Sequence, residues 1–180
     1  MTEALKVARY NSGSIALHWI SAALIVALFA GGLTIDAFPK EWKSALINLH
    51  AIGGVTLLVL VFVRIAWRLT HPAPPQPASI GPLMQRAAGL GHLALYGLMI
   101  AVPVIGVPTL LWRGRGLDFG LFQIASPFVS TREVFKPLTE IHEIGAFALI
   151  ILAVLHAAIS VWHHVVQKDG TLLRMMPDRG

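Results

Sequence analysis

The sequence predicts an all-α fold, a transmembrane four-helix bundle, on three observations. Four stretches are apolar over about 20 residues or more, the length a helix needs to cross hydrocarbon. Only 13% of the residues are charged, well below the roughly 25% of soluble domains. Mean hydropathy is +0.70. The 180 residues fit one membrane domain spanning 1–180.

Composition narrows the chemistry. The chain has no cysteine, which excludes a structural disulfide, a thiolate-bound cluster and thioether attachment of haem. The net charge of +5 would suggest nucleic acid in a soluble protein. Here the basic residues lie between apolar stretches, so the expected partner is the lipid bilayer and not nucleic acid. Lys6 and Arg9 precede the first apolar run, but at about 20 residues that run is too long for a signal peptide.

The first span is expected over Ser14–Ile35, which contains no charge and is followed by Asp36 and Pro39. The second covers Ser44–Leu69, with Arg64 and Arg68 near its end, and stops at the Pro-rich stretch His71–Pro82 because proline cannot continue a helix ladder. The third covers Ala87–Leu111 and contains Pro103 and Pro108, which predict a kink. The fourth covers Leu138–Val166, after a polar loop from Arg113 to Lys136. Four spans put both termini on one side. That side and the second connection carry Lys6, Arg9, Arg64, Arg68, Arg86, Lys168, Arg174 and Arg179; the other side carries Lys40, Lys43, Arg113, Arg115, Arg132 and Lys136. Eight against six favours cytoplasmic termini. Trp19, Trp42, Trp67, Trp112 and Trp162 fall mostly near span ends, as an aromatic belt would.

Eight histidines are many for so apolar a chain, and an ionisable group inside a span points to function. His18, His50, His142 and His156 lie within the spans. His142 and His156 are 14 residues apart, which at about 100° per residue leaves both on one face, about 21 Å apart along the axis. Helix direction then pairs each with a partner at its own depth: His18 with His156 toward the inner face, His50 with His142 toward the outer. Two imidazoles from separate helices at each level suit six-coordinate haem iron. Iron with no open position favours electron transfer over oxygen activation. Gly53, Gly54 and Gly145 leave room for a flat macrocycle or serve helix packing. A His-lined metal or proton transporter would need polar residues along the path, and the spans are apolar between the two levels.

Other residues have two readings each. His163 and His164, with Lys168 or Asp169, would bind or protonate a quinone at the inner surface, or form a polar cap on the helix end. His92 is a competing ligand or a propionate contact. Arg64 and Arg68 would meet haem propionates or lipid phosphate, or act as membrane anchors. The six outer basic residues would steer an anionic donor such as superoxide, although acidic residues on that face balance them.

Several stretches resemble the bacterial cytochrome b561 family, diheme membrane cytochromes of about this length. They are Ile15-Ala16-Leu17-His18-Trp19, Ile47-Asn48-Leu49-His50, Gly91-His92-Leu93-Ala94-Leu95-Tyr96, Pro103-Val104-Ile105-Gly106, His142-Glu143 and Leu155-His156-Ala157-Ala158. The tail from His163 through Lys168 and Arg174 to Pro177 is the most specific. The resemblance implies two non-covalent b haems held by His18, His50, His142 and His156. It also implies electron transport between a periplasmic-side donor and the quinone pool, with ubiquinone as a bound partner. A superoxide:ubiquinone oxidoreductase is the alternative it allows.

Overall fold

A computed structural model describes residues 8–75 and 80–177. Lys6, Arg179 and the middle of the Pro-rich connection, which entered the charge count and the linker reading, lie outside the described residues.

Four long helices follow one another: α1 (Ser12–Thr34), α2 (Lys40–Thr70), α3 (Pro82–Trp112) and α4 (Arg132–Trp162). Each is long and apolar enough to cross a membrane. Their outward faces expose large apolar side chains such as Ile20, Val26, Val59, Leu93, Ile151 and Val154, which suits lipid as the surrounding solvent.

The helices begin earlier than hydropathy predicts, because their first turns are polar. Asn11 caps α1, its Oδ1 accepting from the Ser14 N–H at 2.8 Å. The same oxygen accepts from the Trp67 indole at 3.1 Å, which ties the start of α1 to the end of α2. Pro39 immediately precedes α2, and Pro82 opens α3, where its missing N–H costs no hydrogen bond. In α4 Glu133 occupies the first turn, favourably placed for the helix dipole. Pro103 and Pro108 lie inside α3, which is helical without a break from Pro82 to Trp112.

The connection read as a polar loop carries structure. Strand β1 (Leu117–Asp118) pairs antiparallel with β2 (Gln123–Ile124), Leu117 opposite Ile124 and Asp118 opposite Gln123. Asp118 organises the turn, accepting from the Gly120 N–H at 2.8 Å and the Gln123 amide at 2.7 Å. Asn48 of α2 clamps the same residue, donating to its carbonyl at 2.7 Å and accepting from its N–H at 2.9 Å. The hairpin is thereby fixed to α2 within a turn of His50.

At the opposite end of the bundle α4 widens into a π-helical turn over His163–Gln167. Lys168 takes a left-handed conformation with φ 53° and Gly170 one with φ 75°, so the chain reverses. The tail is then locked down. The buried Arg174 donates to the carbonyls of Pro74 and Pro75 at 2.6 and 2.9 Å, and to Ala8 at 3.3 Å. Trp19 donates to the Met175 carbonyl at 2.7 Å.

Midway along the bundle Ile25, Leu57, Val61, Met99 and Leu149 form a buried cluster to which all four helices contribute. Val61 and Ser21 are fully enclosed. Ser21 satisfies its hydroxyl on the Leu17 carbonyl at 2.7 Å, so its small side chain lets neighbouring helices approach closely.

Candidate functional site

Chain neighbours pack along one another, α1 on α2, α2 on α3 and α3 on α4, whereas α4 meets α1 at few points and α2 at fewer still. The histidines lie across these wider separations. His18 of α1 faces His156 of α4 with ring centroids 6.3 Å apart and planes at 62°. His50 of α2 faces His142 of α4 at 6.1 Å and 79°. All four rings are partly buried. The two pairs the sequence proposed are therefore brought together, one toward each end of α4.

The separations can be tested against chemistry. A metal–imidazole nitrogen bond is about 2.0 Å and a ring nitrogen sits about 1.1 Å from its centroid, so two imidazoles bound in line on opposite faces of one ion have centroids about 6.2 Å apart. Both observed distances match. His92 stands 5.2 Å from His156, too close for those two rings to hold an ion between them in line. Its Nδ1 is occupied with the Ala88 carbonyl at 2.7 Å.

The His50/His142 site shows further signs of a ligand role. His142 donates its Nδ1–H to the Val102 carbonyl at 2.9 Å. That contact fixes the tautomer and leaves Nε2 with a free lone pair, as a metal ligand requires. Buried His50 Nδ1 makes no well-formed hydrogen bond, and the ring has only a loose approach to the Leu28 backbone. Both rings line an apolar cleft, whose other walls include Phe29, Leu57, Pro103 and Leu149. Such apolar lining around a few polar groups is that of a cofactor site. Paired imidazoles in an apolar cleft fit a b-type haem, which needs no covalent attachment.

Two glycines missed at the sequence level shape this site. A Cβ on Gly106 would lie 3.0 Å from His142 Cε1, and one on Gly32 would lie 3.2 Å from His50 Cε1. An alanine at Gly106 would require the His142 ring to give by a few tenths of an ångström. For Gly106 the signal was present in Pro103-Val104-Ile105-Gly106; for Gly32 only a Gly-Gly pair marks it. Gly53 and Gly145, by contrast, admit the Leu28 and Val102 side chains, where added Cβ atoms would come within 2.7 and 3.1 Å. These contacts serve helix packing.

The residues assigned to quinone differ in exposure. His163 is buried and its Nδ1 bonds the Asp169 carboxylate, while His164 and Lys168 are exposed. Asp169 also accepts from the Thr171 N–H at 2.9 Å. Burial pushes its acidity constant up, but the hydrogen bonds from Thr171 and His163 outweigh it and hold the carboxyl below its ordinary 3.8. At the other end charges of opposite sign are interspersed. Lys43 pairs with Asp36 at 2.9 Å and Lys136 with Glu140 at 3.8 Å. Arg113 donates to Thr139 at 3.0 Å and Arg115 reaches Ser44 at 3.5 Å.

Four apolar helices with two histidine pairs set between α4 and the less closely packed α1 and α2 define a class: membrane proteins that clamp redox cofactors within a helical bundle. The chain belongs to the prokaryotic cytochrome b561 family, whose model matches residues 9–178. It is 35% identical over 178 residues to cytochrome b561 homolog 1 of Escherichia coli, covering 95% of this chain and 98% of that one. It is also 30% identical over 172 residues to the probable superoxide oxidase CybB of Yersinia pestis, covering 95% and 97%. Cytochrome b562 of Cereibacter sphaeroides is 32% identical over 176 residues, covering 94% and 96%. The protein is thus a multi-pass bacterial membrane cytochrome of the b type, which binds haem and transfers electrons.

Proposed function

We propose that this chain is a dihaem cytochrome of the inner membrane. It would carry electrons between a periplasmic-side donor and the quinone pool. His18/His156 would hold one haem b and His50/His142 the other. The observation that carries the reading is the centroid separation of the two pairs, 6.3 and 6.1 Å, each spanning helices that otherwise stand apart. When bound, haem supplies a one-electron ferric/ferrous couple at each level. The protein's part is to fix the ligand tautomer, as the Val102 carbonyl does for His142, and to keep the cleft dry with apolar walls. Between the levels the cluster around Val61 fills the bundle with apolar side chains, which opposes a water or ion path.

In this reading the termini lie in the cytoplasm, and the quinone headgroup docks at their end near His163, His164 and Lys168. The buried His163–Asp169 pair supports it by placing an acid–base couple about two turns from His156. The second reading, superoxide:ubiquinone oxidoreductase, draws on the name of the Yersinia relative, a probable superoxide oxidase. The interspersed charges at the 113–131 end give superoxide no strong field to follow. Reduction of the purified protein by superoxide, set against reduction by a dehydrogenase partner, separates the two. Failure of the reduced protein to pass electrons to a soluble ubiquinone would overturn the quinone assignment.

A further inference from the structure

Arg64 is a cation inside a membrane span, six residues before the end of α2, and its surroundings do not explain it. Its Nη2 lies 3.5 Å from His18 Nδ1, and its guanidinium carbon is 5.3 Å from the Tyr96 ring centroid. His18 of α1, Tyr96 and His92 of α3 and His156 of α4 are the titratable groups that act on it or share its field. None of these is an anion at neutral pH. Among the described residues no carboxylate pairs with it. A charge at this depth is costly without a counter-ion.

The contact with His18 sharpens the point. A guanidinium only donates, so the contact holds only while His18 Nδ1 is an acceptor and Nε2 carries the proton. An Nε2 that binds iron must be bare, which moves the proton to Nδ1 and leaves two donors facing each other. Arg64 then needs an acceptor elsewhere, and the anionic groups a b-type haem brings are its propionate carboxylates.

We propose that Arg64 is the carboxylate-binding residue of the His18/His156 site. Its planar fork takes a propionate, its departure from His18 releases the ligating tautomer, and its positive charge favours the ferrous form of that haem. The assignment rests on the haem-ligand reading above. The same fork would accept a lipid phosphate, which is the rival source of an oxyanion.

Redox titration of the purified holoprotein, followed at the haem bands in wild type, Arg64→Gln and Arg64→Lys, tests it. The expected result is a downward shift of one component in Arg64→Gln. At fixed ambient potential its ferrous-to-ferric ratio falls about tenfold, equivalent to about 59 mV for one electron. The other component stays in place. Arg64→Lys keeps the charge but not the fork and recovers part of the shift. Repeating the titration in a His142→Ala background, which retains only the His18/His156 haem, must show the shifting component. If Arg64→Gln sheds haem, one haem per chain must remain and must be the other one. Two wild-type haems whose potentials do not move in Arg64→Gln would overturn the assignment alone and favour lipid phosphate. A wild-type protein with no haem b spectrum would overturn the haem reading itself.

Discussion

His142 is held from two sides, by a hydrogen bond to Val102 and by the bare backbone of Gly106. On the proposed ligand assignment, a substitution at His142 or Gly106 acts on one level only. His142→Ala is expected to reduce bound haem from two to one per chain, leaving the His18/His156 level intact, as read from a pyridine haemochrome assay. Two retained haems of normal spectrum would contradict the ligand assignment. Gly106→Val places carbon atoms where the imidazole stands. It is expected to weaken haem affinity at that site about 10–100-fold, the range found when support around a metal ligand is lost. An unchanged affinity would mean that His142 does not need its present position. The histidines were legible in the sequence because a titratable group at membrane depth is conspicuous and a 14-residue spacing sets two of them on one face. Gly32 and Gly106 were not, since a glycine's role depends on which side chain crosses from another helix. The same blindness left Gly53 and Gly145 open between cofactor and packing roles.

At the scale of elements, the distinctive feature is the end of α4, where a π-helical turn and a left-handed Lys168 fold the tail back onto the bundle. Asp169 ties that reversal to His163 and to the Thr171 N–H. Its acidity constant is depressed in the folded chain, so its stabilising contribution is complete above the ordinary carboxylate value of 3.8. It is lost as pH falls through the lowered value. Amide hydrogen exchange in the 169–177 tail should therefore stay slow from neutral pH down to about 4 and accelerate below that. Asp169→Asn should loosen the tail by about 1–3 kcal/mol at neutral pH and abolish the acid step. An acid step of equal size in the variant would show that another group controls the tail. Nothing in the residue pattern marks the π turn, because no local residue preference distinguishes it from continuing α-helix. The 117–124 hairpin was equally hidden. Its strands are two residues each and depend on Asn48, about 70 positions away, for their anchorage.

For the whole molecule, four spans and their order were readable because lipid demands long apolar helices. Their polar first turns were not, since hydropathy ignores the turns of helix that leave the hydrocarbon. Nor does hydropathy report how far apart helices stand. The looser packing of α4 against α1 and α2 is a property of the assembled bundle. Between the two levels the enclosed cluster of Ile25, Leu57, Val61, Met99 and Leu149 keeps the bundle's middle apolar.

The most direct measurement is the haem-to-chain ratio of the purified protein, taken with its reduced-minus-oxidised spectrum. Two histidine-clamped sites predict two haem b per chain, both low-spin, with sharp α-bands in the reduced form. A ratio of one, or a high-spin spectrum showing an open coordination position, would contradict the pairing of His18 with His156 and His50 with His142.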